Sequence, residues 1–167
     1  MKAVLLSTYD LGHQPFGLAS PAAWLGELGA ELSCVDLAVD SLDEGAVRDA
    51  GLIAFYLPMH TATRLAAMAI PKVLRLNASA HVCCYGLYAP LNEEFLRGLG
   101  VHTILGGEYE GDLAELARGL MVNGGKTPGG VAVSHEKLRF RVPDRRGLPD
   151  LSRYGRVTTA EGDRLLA

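Results

Sequence analysis

Along the chain, five short apolar runs at 3–7, 31–37, 52–57, 81–85 and 102–105 alternate with stretches in which apolar residues recur every three or four positions. Runs of that length read as buried strands, and the intervening period is that of amphipathic helices. Strands separated by helices predict a parallel sheet covered on both faces. The expected fold is a doubly wound, flavodoxin-like α/β domain with five parallel strands in the order 2-1-3-4-5.

Capping chemistry sets the expected helix limits. Ser20 reads as an N-cap with Pro21 at the first helical position, followed by an apolar face of Ala22, Leu25 and Leu28. Ser41-Leu42-Asp43-Glu44 has the spacing of a capping box. Thr61 or Thr63 opens a third helix whose face is Leu65, Met68 or Ala69, Val73 and Leu76, and Pro71 predicts a kink or restart within it. Asn92 caps a fourth helix, where Glu93 and Glu94 suit the positive end of the helix dipole rather than acid–base chemistry. A fifth, at about 112–122, ends in Asn123-Gly124-Gly125, a left-handed stop.

Beyond it, 131–134 and 138–142 alternate apolar and polar residues around His135-Glu136-Lys137, which predicts a hairpin appendage. Residues 1–125 thus read as a Rossmann-like domain and 126–167 as hairpin and linker. Arg164-Leu165-Leu166-Ala167 stops within an apolar run, as a piece of a longer protein would.

A net charge of −3 over 167 residues gives no field for phosphate backbones, so no nucleic-acid partner is expected. No apolar run approaches the roughly 20 residues of a bilayer span, and the first is too short for a signal peptide. A cytoplasmic protein without a membrane partner is the expectation. Cys34, Cys83 and Cys84 are odd in number and lack metal-ligand spacing, so they read as small buried hydrophobes.

In a fold of this kind ligands sit outside the carboxyl ends of the strands, here between strands one and three. The loops converging there carry Tyr9, Asp10, Gly12, His13 and Gly17, then Tyr56, Leu57, His60 and Thr61, then Tyr85 and Gly86, and last Gly106 and Gly107. Tyr88, Tyr109 and Phe16 join them, leaving only Tyr154 of the six tyrosines elsewhere. Aromatic rings gain by covering flat apolar surface, so the cluster points to a flat ligand, a partner surface or a cover for the top of the sheet. His13 and His60 have no neighbours at ligand spacing, so no metal site is assigned, and Asp10 reads as a turn former. The glycine patterns of dinucleotide and P-loop sites and the nucleophile elbow of hydrolases are absent. Strand three ends in Phe55-Tyr56-Leu57, without the aspartate of a receiver domain.

Three stretches carry a resemblance. Gln14-Pro15-Phe16-Gly17-Leu18-Ala19, Tyr85-Gly86-Leu87-Tyr88-Ala89-Pro90 and Leu105-Gly106-Gly107-Glu108-Tyr109-Glu110 resemble, respectively, the P-x-G-L, glycine-turn-proline and R-G-E-G-E segments of one domain family. That family is the cobalamin-binding-type domain preceding the catalytic barrel in many radical S-adenosylmethionine (SAM) proteins. The match is closest to a subgroup with cysteine- or selenocysteine-containing tails, and Leu148-Pro149-Asp150-Leu151 is similar to its linker. The resemblance implies an accessory cofactor-binding domain, not catalytic alone, with base-off cobalamin held by the loop residues named above. It places the iron–sulfur cluster and SAM in a downstream catalytic domain of the same polypeptide, because the C-x-x-x-C-x-x-C of that cluster is absent here.

This chain departs from the classical D-x-H-x-x-G signature, having Asp10-x-x-His13-x-x-x-Gly17, and carries Tyr85 in place of a glycine. His13 is therefore not expected to ligate cobalt. Two other readings stand beside it. One is an interaction module whose crevice is filled by tyrosines, and the other a flavin-binding electron carrier with Ser7-Thr8-Tyr9 at the phosphate.

Overall fold

The five apolar runs become parallel strands β1 (Lys2–Ser7), β2 (Glu31–Asp36), β3 (Leu52–Tyr56), β4 (His81–Tyr85) and β5 (Thr103–Gly107), paired in the expected order 2-1-3-4-5. The computed structural model describes residues 1–123 and 129–165. The strands are apolar on both sides because alternate residues enter two cores. Val4, Leu6, Ile53, Phe55, Val82, Cys84 and Ile104 pack toward α2 (Glu44–Asp49), α3 (His60–Leu76), α4 (Tyr88–Leu91) and α5 (Glu93–Gly98). Ala3, Leu5, Leu52, Ala54, Cys83, Tyr85 and Leu105 pack toward α1 (Phe16–Glu27) and α6 (Tyr109–Val122). Full burial of each large side chain stabilises the fold by about 1.5–3 kcal/mol. Cys83 and Cys84 are fully buried free thiols on opposite faces of the sheet, and burial raises both pKa values.

The expected hairpin of 131–134 with 138–142 does not form. Val131–Ser134 is instead a sixth parallel strand, β6, on the free edge of β5. Glycines permit this approach. A Cβ on Gly107, whose φ is +65°, would lie 1.8 Å from the Ser134 carbonyl oxygen, and one on Gly129 would lie 2.1 Å from that of His102. Residues 138–142 take no strand structure and cross the α1 and α6 side, with Arg141 over the Trp24 ring at 3.6 Å and paired to Glu27 at 2.7 Å. The antiparallel hairpin lies later, as β7 (Arg156–Thr159) and β8 (Gly162–Leu165).

Several helices differ from the capping forecast. α1 begins at Phe16 rather than beyond Ser20, which sits buried in the helix and donates to Glu110 Oε1 at 2.8 Å. Pro21 therefore falls inside the helix, where it removes the N–H that would bond the Gly17 carbonyl. The cap of α2 is Asp43, accepting from the Ala46 amide at 2.9 Å, not Ser41. α3 starts at His60 and continues past Pro71 as one helix, with Ala62, Ala66, Ile70 and Val73 as its buried face. Met68, expected in the core, is 69% exposed, because small alanines let this helix lie close to the sheet on a neighbouring face. α5 follows Asn92 as expected, although that side chain reaches back to the Tyr88 carbonyl at 2.7 Å rather than capping. α6 starts at Tyr109, earlier than predicted; Asn123 has φ −94°, and Gly124 and Gly125 of the forecast stop lie outside the described residues.

Candidate functional site

The loop after β1 turns sharply at Asp10-Leu11-Gly12-His13. Leu11 (φ 54°) and Gly12 (φ 80°) both adopt the left-handed conformation, and the His13 amide donates to the Asp10 carbonyl at 2.8 Å, which together make a type I′ turn. Asp10 closes this turn through its backbone, leaving its carboxylate free to face a cavity. A leucine in that conformation is strained, and such strain collects at functional loops.

Next to this turn, Tyr56, Tyr85 and Tyr109 form a contiguous cluster, with ring centroids 5.6 Å (Tyr56–Tyr85), 4.9 Å (Tyr85–Tyr109) and 6.2 Å (Tyr56–Tyr109) apart. Tyr85 is fully buried, and its hydroxyl donates to the Gly17 carbonyl at 2.7 Å. That is the acceptor left free by Pro21, so the tyrosine completes the hydrogen bonding of α1. Gly17 is required by the neighbouring ring: a Cβ there would lie 2.3 Å from Tyr56. Burial raises the pKa of all three phenols, Tyr56 to about 12, so the cluster is neutral filling between α1, α6 and the sheet.

The remaining glycines of the forecast site are approached by the protein itself. Gly86 (φ +107°) would place a Cβ 2.9 Å from the Leu57 carbonyl oxygen, in a corner where the Leu57 amide donates to Tyr85 and the Tyr88 amide to Leu57. Gly106 faces the Pro90 ring, 2.4 Å from a Cβ, and Gly107 faces β6. His60 and Thr61 are exposed at the start of α3, and Thr8 commits its hydroxyl to the Ala62 carbonyl at 2.8 Å. The flavin reading drew on that hydroxyl among the hydroxyls and amides of Ser7-Thr8-Tyr9.

Tyr9, Asp10, Gly12 and His13 instead line a cavity of about 400 Å³ on the β2 side of the loop, shared with Thr8, Asp36, Leu37, Ala38, Val39, Leu65, Arg153, Tyr154 and Gly155. Burial raises the pKa of both Asp10 and Asp36 above the usual carboxylate value, His13 opposing it at Asp10 and the Ala38 amide at Asp36. The last wall is a strap formed by residues 143–155. Buried Gln14 anchors it, donating to the Pro149 carbonyl at 2.9 Å and accepting from Arg145. The Gly155 amide donates to the Gly12 carbonyl at 2.8 Å, and Arg153 pairs with Asp40 at 2.6 Å and donates to the Val39 carbonyl.

Gln14, Asp36, Arg153 and Tyr154 were not among the candidates from sequence. Asp36 carried a signal, as an acid within the last two positions of the second apolar run; the strap residues carried none, because their partners lie more than 100 positions away. Among the described residues no three His, Cys, Asp or Glu side chains gather as a metal site, and no helix is long and apolar enough to cross a membrane.

No family model matches the chain, and no curated protein does. Solved structures are similar to it, among them two of the radical S-adenosylmethionine methyltransferase TsrM from Kitasatospora setae. The one with tryptophan substrate and the SAM analogue aza-SAM bound gives a TM-score of 0.61, and the one with cobalamin and a four-iron four-sulfur cluster bound gives 0.60. Each is 16% identical and covers 99% of this chain, which spans 30% of the TsrM chain. At that identity the likeness is one of fold.

Proposed function

We propose that this chain is an accessory domain of cobalamin-binding type from a radical SAM protein, whose inter-strand crevice is closed by its own tyrosines. The order of its first five strands, the fold shared with TsrM and the motif resemblance support the domain type. The observation that carries the closure is the buried Tyr85 hydroxyl bonded to Gly17, with the Tyr56 ring against the same glycine. A cobalamin whose nucleotide tail inserted between strands would need that volume, so the residues present do not fit it. The domain then serves as a scaffold for the downstream catalytic domain of the same polypeptide, in a cytoplasmic protein.

Titration with hydroxocobalamin, followed by absorbance and gel filtration, tests the closure. The wild-type chain should retain no corrinoid at high micromolar protein, and Tyr85→Gly should gain uptake. Stoichiometric retention by the wild type would overturn the closed crevice. The parent assignment has its own test, since the reading frame beyond Ala167 should encode C-x-x-x-C-x-x-C, and a stop codon there would sink it. The chain alone should not cleave SAM reductively after iron–sulfur reconstitution.

A further inference from the structure

The start of β5 is held to β4 by two imidazoles. The His102 amide donates to the Val82 carbonyl at 2.8 Å, so in a regular parallel ladder the Val82 amide would bond the Gly100 carbonyl. Gly100 is still turning out of α5, with φ +92° and its amide closed onto the Arg97 carbonyl. The His102 ring stands in for the ladder, its Nδ1 accepting from the Val82 amide at 3.0 Å. A backbone N–H can only donate, so Nδ1 carries no proton and the ring is the neutral Nε2–H tautomer. Beside it His81 is 6% exposed, with Nε2 2.8 Å from Thr103 Oγ1 and the two ring centroids 5.0 Å apart.

The surroundings favour a charge on neither ring. The one charged side chain bonded to His102 is Arg97 of α5, which donates to its carbonyl at 2.6 Å and pairs with Glu93 at 3.7 Å. On the β3 side His81 meets Gly51 and Leu52, and at the entry to β6 Gly129 lies against the His102 carbonyl, none of them charged. Among the described residues no carboxylate acts on His81, and burial, then the charge of His102, push its pKa down to about 4. Its ordinary value is 6.5, so the stability that goes with neutral His81 is complete above 6.5 and is lost as pH falls toward 4.

Protonating His102 turns its acceptor into a donor facing the Val82 donor, and a second charge on His81 adds repulsion between the stacked rings. We propose that this pair is an acid-sensitive clasp, which fastens the start of β5 to β4 when neutral and, when protonated, frees that end of β5 together with β6. β6 follows because, among the described residues, β5 is its one strand neighbour, and the Ile104 amide holds the entry to β6 through the Gly130 carbonyl at 2.9 Å.

Amide exchange followed by NMR on the full chain at pH values of about 7.5 and about 5, corrected for intrinsic rates, tests this. Protection of the Val82, Ile104 and β6 amides should fall roughly tenfold or more at the lower pH, with β1 and β3 unchanged. His102→Gln, whose amide oxygen can accept from Val82 without titrating, should keep its protection at both pH values, and His102→Ala should lack it at both. The ring nitrogen shifts of wild-type His102 should show the Nε2–H tautomer at the higher pH. An Nδ1–H tautomer there, protection of those amides that does not change with pH, an equal loss in His102→Gln, or a loss shared equally by β1 and β3 would each overturn the clasp.

Discussion

The loop from Tyr9 to Gly17 separates two spaces that differ in how neighbouring residues use them. On the β3 side, tyrosines from β3, β4 and α6 reach inward and meet a glycine on α1, leaving no room. On the β2 side, small or backbone-only neighbours, Ala38, Gly12 and Gly155, leave a cavity whose wall includes the carboxylates of Asp10 and Asp36. The fold provides an edge, but the side chains along it decide whether that edge is a core or a site.

The largest expected effect breaks the closed side. Gly17→Ala would place its Cβ 2.3 Å from the Tyr56 ring, so overpacking should cost about 2–3 kcal/mol, read by urea denaturation. In an unobstructed helix the same change would stabilise by about 0.5–1 kcal/mol, so the sign alone is diagnostic. Adding Tyr56→Ala should recover part of the loss. A stabilised Gly17→Ala would mean that the tyrosine ring is not held there.

Next in size is the bond across the closed crevice. Tyr85→Phe strands the Gly17 carbonyl, at an expected cost of about 1–2 kcal/mol. Pro21→Ala restores an amide that can reach that carbonyl, so in the Pro21→Ala background Tyr85→Phe should cost clearly less. Additive effects in this double-mutant cycle would show that the proline and the tyrosine are not coupled.

The strands were legible because short apolar runs bounded by turns have few alternatives, and the order of the first five followed from the fold class. β6 was not, because Val131-Ala132-Val133-Ser134 alternates in the same way whether it pairs in a hairpin or on an open edge. What settles it is the backbone approach allowed at Gly107 and Gly129, a contact between distant segments. The tyrosines were placed on the correct edge from sequence, but whether Tyr85 faces solvent, a ligand or α1 depends on the helix starting at Phe16 rather than beyond Ser20. The strap was invisible because a turn-rich connector has no periodicity, and its anchors are single side chains such as Gln14.

Gln14→Ala should loosen the open side without touching the closed one. Losing both side-chain bonds should cost about 1 kcal/mol and speed hydrogen exchange and proteolysis across 143–155, with the amides of β1 to β5 unaffected. Equal acceleration throughout the sheet would show that the strap belongs to the global folding unit rather than to the cavity wall.

The smallest effect is a pH dependence confined to the cavity. Asp36 is held above its ordinary value of 3.8 by burial, with nearby Asp40 adding to the rise and the Ala38 amide, the Tyr154 hydroxyl and Ser7 opposing it. Between 3.8 and that raised value the unfolded chain has lost a proton that the folded chain keeps. Folding is therefore destabilised as pH rises through this window, the full cost persists above it, and below 3.8 it vanishes. Asp36→Asn has no proton to lose, so its stability relative to wild type should improve as pH rises from about 3 to 6, measured by denaturation at each pH. Tyr85→Phe should show no such swing, because its phenol, raised far above its ordinary value, stays neutral throughout. A flat wild-type-minus-Asp36→Asn difference would show that water already satisfies the carboxylate, making the two sides of the loop more alike than their packing indicates.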